Sequence, residues 1–322
     1  MADTSDQRSC GDAARLSTAA GSRLRLGTAP DSWGVWFPDD PRQLPWSQFL
    51  DEAAGSGYAW IELGPFGYLP ADPGRLRDEL DQRGLQLSGA TLAAGLHHGR
   101  DALAAAVRDG REVAAVLTAL GARHLVLLPE QYTDLAGWPT QPAGLDAGQW
   151  RALTSGTSEL ARLLAGEFGV ELVFHPHADS HVDTQEHIER FLDGTDSGLV
   201  RLCLDTGHVA YCGGDNIALI RQFGDRIGYV HLKQVDPDVL ARVRAGRLGF
   251  AQAVRLEAMV EPPHGVPVME PLLAALGELS TDLFAIVEQD MFPCAPDRPL
   301  PIATRTRQFY GSCGLGPGPA RR

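Results

Sequence analysis

The sequence contains few cysteines, and none of them forms a CxxC pair. An odd number of cysteines at long spacings is typical of unpaired thiols in a reducing compartment, not of a disulfide framework. We therefore expect a cytoplasmic protein. The five cysteines are Cys10, Cys203, Cys212, Cys294 and Cys313.

Long hydrophobic runs are also missing. No stretch reaches the roughly 18 consecutive apolar residues that a membrane-spanning helix needs, and the beginning of the chain lacks the apolar centre of a secretory signal. We therefore expect no membrane partner and no secretory leader. Residues 1–22 and 313–322 are small and polar, which predicts a disordered N-terminal tail and a flexible C-terminal tail. Between them we expect one catalytic domain, residues 23–312.

Basic residues are outnumbered by acidic ones. The 322 residues include 28 Lys and Arg against 41 Asp and Glu, which gives a formal net charge of −13. A strongly acidic surface repels phosphate backbones, so nucleic acid is disfavoured as a partner. The hydrophobic fraction of 44% is ordinary for a globular protein with a sizeable core.

Short apolar runs alternate with longer amphipathic stretches along the chain. The near-continuous apolar character of these runs predicts strands that are buried on both faces, as in a parallel sheet. Helical spacing of apolar residues is clearest over 101–120 and 148–166, and each of these two segments is closed by a glycine soon afterwards. The eight predicted strands are 24–29, 58–63, 85–92, 123–128, 170–175, 200–205, 227–233 and 283–289.

Eight such alternations in one chain predict an α/β fold of the (β/α)₈, or TIM-barrel, type. A doubly wound sheet is the alternative, but it requires a glycine-rich phosphate loop after the first strand. That turn reads "GTAPDSWGVWFP" and contains no GxGxxG pattern. The segment 234–266, between the seventh strand and its helix, is unusually long. We expect it to be an insertion that covers the active-site face.

Polar residues concentrate where the predicted strands end, which is the catalytic face of a TIM barrel. Four of these ends follow one another around the barrel, and adjacent strands lie about 4.8 Å apart. The side chains of His175, Asp205, His231 and Glu288 can therefore meet on one ion. Further ends carry Glu62, His177, His208, Lys233 and Asp290.

Imidazoles combined with carboxylates suit a borderline divalent metal and not Ca²⁺. The sequence thus predicts one Mn²⁺, Co²⁺, Zn²⁺ or Fe²⁺ ion, with Mg²⁺ as a further candidate. Other interpretations stay open residue by residue: Asp205 can cap the following helix, His208 can be a hydrogen-bonded loop residue, and Glu62 can form a rim ion pair. His97 and His98 follow the third strand at the same end, and the sequence assigns them no role.

Several motifs resemble the xylose-isomerase-like sugar phosphate isomerase/epimerase superfamily, and within it the inosose dehydratase branch of inositol catabolism. They are "GTAPDSWGVW", "IELGPFGYLP", "LCLDTGHVAYCGGD", "RIGYVHLKQV" and "IVEQD", and the similarity extends over about residues 24–312. The resemblance implies a TIM barrel with one divalent metal, often manganese or cobalt, held by Asp205, His231 and Glu288. His175 stands where the superfamily usually has a glutamate, which favours the dehydratase branch. Gln234 stands where relatives tend to have an aspartate.

The resemblance implies a lyase that removes a proton beside the ketone of an inosose, or a similar keto-polyol, and then expels a β-hydroxyl. The catalytic residues would be His177, Glu288, Lys233 and His208, and the substrate contacts would be Glu62, Trp33, His208 and Lys233. A sugar or keto-inositol isomerase or epimerase on the same barrel is the alternative. A DNA-repair endonuclease of the same superfamily is disfavoured by the acidic charge. The chain is also a candidate homo-oligomer.

Overall fold

The computed structural model describes residues 23–316, in which eight parallel strands close into a barrel. Around the barrel the order is β1, β10, β7, β6, β5, β4, β3 and β2. The barrel strands are β1 (Leu24–Thr28), β2 (Trp60–Pro65), β3 (Gln86–Ala94), β4 (His124–Pro129), β5 (Glu171–Phe174), β6 (Val200–Asp205), β7 (Ile227–Leu232) and β10 (Leu283–Val287).

Helices lie between the strands and pack on the outside of the barrel. Five of them begin after an aspartate that caps the helix: Asp146, for example, forms a capping box with Gln149, and the side chain of Asp205 accepts a hydrogen bond from the backbone N–H of His208. The helices are Trp46–Gly55, Pro73–Asp81, Arg100–Leu120, Ala147–Phe168, Gln185–Gly194, Thr206–Tyr211, Asn216–Phe223, Pro237–Gly246, Phe250–Arg255, Met269–Gly277 and Pro299–Ser312. Three short 3-10 turns occur at Pro30–Trp33, Leu96–His98 and Gly224–Arg226.

The predicted TIM barrel is confirmed, and the strand predictions agree with the structure to within about two residues at each end. The reason is physical: strands enclosed by helices must be apolar on both faces, so the sequence marks them as short runs. Strand β7, for example, is buried at all six positions. The two clearest helices also match, and Gly121 and Gly169 end them in the left-handed conformation, with φ of 76° and 65°.

Buried apolar side chains of the barrel strands belong to two separate clusters. The main core lies between the barrel and its helices and includes Trp33, Phe49 and Phe174, which are all fully buried. A smaller cluster of buried residues shares no member with it and comes from six consecutive strands of the barrel, β4 to β7, β10 and the end of β1: Ala29, Val126, Val173, Cys203, Tyr229 and Ile286. Cys203 is thus a buried residue of this smaller cluster.

The chain between β7 and the helix Met269–Gly277 contains its own secondary structure. Strands β8 (Gln234–Val235) and β9 (Met259–Val260) pair antiparallel, and two helices lie between them. The ring of Phe250, in the second of these helices, lies 4.9 Å from the rings of His177 and His208. This segment therefore contributes an apolar residue to the C-terminal face of the barrel.

The packed part of the chain continues beyond residue 312, where the sequence suggested that a tail begins. Cys313 and Leu315 are buried in the main core. The predicted N-terminal tail, 1–22, and residues 317–322 lie outside the described residues, so the domain limits stay predictions. None of the helices in residues 23–316 combines the length and the apolar character that a bilayer crossing requires.

Close packing of β1 against β2 depends on Gly27. A Cβ atom there would lie 2.8 Å from the backbone oxygen of Trp60 and 2.6 Å from Cδ1 of Ile286. Because the backbone oxygen cannot turn aside, we expect Gly27→Ala to lower the free energy of unfolding by about 1–3 kcal/mol. Gly55→Ala is the matched control, because nothing lies within 4 Å of the added carbon. Denaturant unfolding of both variants checks this, and equal stabilities would contradict it.

Candidate metal centre

Four ligand-type side chains converge at the C-terminal ends of β5, β6, β7 and β10. His175, Asp205, His231 and Glu288 each offer one ligand atom, and these atoms all lie within 4.8 Å of one another. The parallel register places Asp205 directly beside His231, and the residue before Glu288 pairs with Leu232. We call these four residues the central cluster. It is the set that the sequence predicts.

The distances within the central cluster are short, and its side chains are almost completely buried. Nδ1 of His231 lies 2.9 Å from Oε2 of Glu288 and 3.8 Å from Oδ2 of Asp205. Nε2 of His175 lies 3.3 Å from the same Asp205 oxygen. The side chain of Glu288, at 10% exposure, is the most accessible of the four.

The ring nitrogens of the central cluster fit a metal ion. Nδ1 of His231 is buried without a hydrogen bond of ordinary geometry within residues 23–316 and faces Glu288 and Asp205, while Nε2 of His175 faces Asp205. An unpaired polar atom in the interior is costly, and native proteins rarely retain one without a function. Two imidazoles and two carboxylates form a donor set that suits a borderline divalent cation.

Glu62 orients His231 from the side opposite the central cluster. Its Oε2 lies 3.0 Å from Nε2 of His231, and its Oε1 accepts a 2.6 Å hydrogen bond from Thr91. With Nε2 donating to Glu62, Nδ1 of His231 is left to face Asp205 and Glu288. The sequence suggested Glu62 as a substrate contact. Instead, both of its oxygens are engaged within the protein, and at 1% exposure it supports the histidine.

Lys233 brings a buried positive charge to the central cluster. Its Nζ lies 3.2 Å from Asp205, 3.0 Å from Glu288 and 2.7 Å from Asp290. Burial alone would lower the pKa of Lys233, but the three carboxylates raise it well above its ordinary value. The lysine therefore stays protonated across the physiological range. Asp290 also accepts a 3.1 Å hydrogen bond from the indole of Trp36.

The carboxylates of the central cluster stay ionised despite their burial. Desolvation would raise the pKa of Glu288, but His231 and Lys233 lower it to about 2. Desolvation likewise opposes ionisation of Asp205, yet Lys233 holds its pKa well below the ordinary range. Burial disfavours the charged form of His231, while Cys203, Glu288 and Glu62 raise its pKa well above normal. A cation bound at the cluster would take the place of that proton.

His177 and His208 lie next to each other beside the central cluster. Their ring centroids are 3.9 Å apart. Burial, reinforced by His175 and Lys233, lowers the pKa of His177 to about 3, and burial with His177 lowers the pKa of His208 well below normal. Both rings are therefore neutral. His177 directs Nδ1 to the carbonyl oxygen of Ala178 at 2.7 Å, which leaves its Nε2 as a proton acceptor.

The tryptophans of the first βα loop have different surroundings. Trp33 was a predicted substrate contact, but it is 0% exposed in the main core, where its indole donates to Glu52 at 2.8 Å and packs edge-on against Phe49. Trp36 is the tryptophan beside the central cluster, because it bonds Asp290 and stacks 6.3 Å from Phe250. Local sequence could not separate the two, since both are aromatic and three positions apart.

The family model of the xylose isomerase-like TIM barrel matches residues 50–303. The chain belongs to the xylose isomerase-like TIM barrel family. An inosose dehydratase of Geobacillus kaustophilus (strain HTA426) is 32% identical over 292 residues, which cover 89% of this chain and 93% of that protein. These matches confirm the resemblance suggested by the sequence motifs.

Two solved structures share the fold of this member of the xylose isomerase-like family. The probable 3-DHS dehydratase AsbF from Bacillus anthracis aligns with a TM-score of 0.67 at 13% identity, over 89% of this chain and 98% of that one. The IOLI protein with a bound zinc atom aligns with a TM-score of 0.64 at 17% identity, over 90% and 96%. At such identities the likeness shows the fold alone.

Some neighbours of the central cluster carry no role in the sequence-based prediction. Asp290 lies two residues after Glu288, and this spacing is a usable signal because side chains two apart on an extended chain share a face. Phe250 has no such signal, because only the path of the chain after β7 brings it to His177 and His208. Thr206 is similarly hidden: its hydroxyl donates to the carbonyl oxygen of Lys233 at 2.8 Å and accepts from the lysine amide.

Removing a ligand and removing its orienting partner have different expected effects on metal binding. We expect His231→Ala to lower the metal content by one equivalent per chain. Glu62→Gln should retain that equivalent at saturation but weaken its affinity by about 10–100-fold. Elemental analysis and competition with a chelator measure the two quantities. Glu171→Gln is the control, because Glu171 begins β5 at the opposite end of the barrel. Unchanged metal content in His231→Ala would remove it from the ligand set.

Proposed function

We propose that this protein is a metal-dependent hydro-lyase that dehydrates an inosose or a similar keto-polyol. The observation that carries the proposal is the central cluster with Lys233, buried together at the catalytic end of the barrel. The similarity to an inosose dehydratase over 89% of the chain supports the substrate class.

The residues that would hold the metal are His175, Asp205, His231 and Glu288. Two nitrogens and two carboxylate oxygens are compatible with Mn²⁺ or Co²⁺, which we propose as the native ions, and also with Zn²⁺, Fe²⁺ or Mg²⁺. When bound, such an ion supplies a Lewis acid that polarises a carbonyl oxygen. Nδ1 of His231, which faces Glu288 and Asp205, and Nε2 of His175, which faces Asp205, support this assignment.

Lys233 would stabilise negative charge that develops on the substrate oxygen. It is a preorganised cation, held by three carboxylates in a site that excludes most water, and such groups need no reorganisation during the reaction. Asp290 and the backbone contact to Thr206 hold the lysine in position. The chain therefore provides a fixed positive charge in addition to the metal ligands.

His177 is the proposed general base or acid. Its ring is neutral and its Nε2 is free to take a proton, while the adjacent ring of His208 is the second proton-carrying group near the substrate. Two imidazoles and a lysine are unlike partners. An elimination needs one group to remove the α-proton and a different group to protonate the departing hydroxyl, so this set suits dehydration.

A sugar isomerase or epimerase is the second candidate function. Paired glutamates on opposite faces of the substrate are the expectation for that reaction, and the strand-five position carries His175 instead. Glu62 does not replace the missing carboxylate, because it is occupied by His231 and Thr91. The site thus favours a lyase. The expectations of a cytoplasmic location, homo-oligomerisation and no nucleic-acid partner stay predictions.

The direct test is a substrate screen with the purified, Mn²⁺- or Co²⁺-loaded protein. We expect inososes to yield a dehydrated product that absorbs in the ultraviolet, and we expect ketohexoses to react poorly or not at all. Mass analysis of the product should show the loss of one water molecule. An epimerised or isomerised product of unchanged mass would instead support the second candidate.

Variants of the two strand-five histidines separate ligation from proton transfer. We expect His175→Ala to lower metal affinity, whereas His177→Ala should retain the metal and lose rate by about 10²–10⁴-fold. His175→Glu should still bind metal and gain weak epimerase activity at the expense of dehydration. His187→Ala, on the surface of the helix Gln185–Gly194, is the control. Loss of metal in His177→Ala together with normal metal in His175→Ala would reverse the assignment.

A further inference from the structure

A second group of ligand-type side chains lies on the same face of the barrel, after β3 and β4. His97 and His98 come from the turn that follows β3, Glu130 directly follows β4, and Gln141 lies in the loop beyond it. We call these four residues the rim cluster. We propose that the rim cluster is a second metal-binding site, of the kind that takes Zn²⁺ or Co²⁺, separate from the central cluster.

Three ligand atoms of the rim cluster already converge. Oε2 of Glu130 lies 2.7 Å from Nε2 of His98 and 3.9 Å from Nε2 of His97. The three atoms all lie within 4.8 Å of one another. Two imidazole nitrogens and a carboxylate oxygen at such spacing are the donors that Zn²⁺ uses in proteins.

A fourth donor is available from the loop after β4. Oε1 of Gln141 lies 3.1 Å from Nε2 of His97, which is one of the three converging atoms. The ring of His181 lies 4.5 Å from the ring of His97. His181 is 3% exposed, and its Nδ1 is buried with no hydrogen-bond partner in the described part of the chain. The rim cluster therefore has an unsatisfied buried nitrogen on the ring next to His97.

The backbone around the rim cluster is shaped to bring Glu130 and His98 together. A Cβ atom at Gly95 would clash with Oε2 of Glu130 and lie 2.9 Å from Cδ2 of His98, so the absence of a side chain at Gly95 lets these two groups come close. The loops after β4 and β5 are joined by the bridge between Gln131 and Ser180. This bridge fixes the backbone directly after Glu130.

An ordinary surface ion pair between His98 and Glu130 explains less of this arrangement than a metal site does. Such a pair contributes about 0–1 kcal/mol and requires no further partners. It does not explain why His97, with a side chain that is 3% exposed, points the same nitrogen at Glu130 and Gln141. The side chains of His98 and Glu130 are 49% and 42% exposed, so a cation from solvent can reach the site.

The two clusters share no residue, so their ions can be counted independently. After chelator treatment, reloading with Zn²⁺ and removal of excess metal, we expect two equivalents per chain in the wild-type protein by elemental analysis. His98→Ala and Glu130→Gln should each retain one. His231→Ala should also retain one, at the rim cluster, and the combination with His98→Ala should retain none.

Co²⁺ absorption spectra of His231→Ala report on the rim cluster alone. We expect a visible band that disappears when His231→Ala is combined with His98→Ala. The affinity of the rim cluster for Co²⁺ should fall by more than about 100-fold in that double variant, because removing a ligand costs more than removing a residue that orients it. His264→Ala is the matched control, since His264 is an exposed histidine in a turn. It should retain both equivalents.

A His231→Ala protein that retains no metal, or a His98→Ala protein that retains as much metal as the wild type, would overturn the proposal. An equal loss in His264→Ala would mean nonspecific binding by surface histidines and would overturn it too. Because His98 and Glu130 are half-exposed, their variants should remain folded, and circular dichroism checks this directly. If the lyase proposal fails, the number of metal equivalents expected in His231→Ala does not change. The two proposals are therefore tested separately.

Discussion

The interaction on which the site depends is the attraction between buried carboxylates and the few cations that face them. Asp205 and Glu288 are held in the interior, where an uncompensated charge costs several kcal/mol. Lys233 and His231 compensate them, yet Glu62 and Asp290 add further negative charge to the same group. Carboxylates thus outnumber fixed cations, and a divalent ion completes the balance. The same excess explains why the lysine keeps its proton.

The barrel supplies the rigidity that this charge arrangement needs. Neighbouring parallel strands place Asp205 beside His231, and the amide of Glu288 donates to the carbonyl of Leu232 at 3.2 Å. The ligands therefore sit on hydrogen-bonded backbone and not on mobile loops. The segment after β7 then adds Phe250 over the two neutral histidines. The charged side chains are thus concentrated at the strand ends, and the apolar ring of Phe250 packs beside the two histidines next to them.

Much of the central cluster could be predicted because a parallel barrel collects all strand ends on one face. To predict a ligand it was enough to recognise a strand and to note the residue at its end. Asp205, His231 and Glu288 could each be predicted in this way. The surroundings of Glu62 and Trp33 could not be predicted, because they depend on partners elsewhere in the chain: His231 for Glu62, and Glu52 for Trp33. Hydrophobic periodicity carries no information about such pairings.

By itself the sequence determined the alternation of strands and helices, the barrel, and the end at which polar residues gather. These features follow from local patterns of burial, since each strand must be apolar on both faces and each helix on one. Only the tertiary structure decided which atoms meet: Nδ1 of His231 with Glu288, and His97 with Glu130 and Gln141. Closure of the barrel sets those distances, because it brings together side chains that are tens of residues or more apart in the chain.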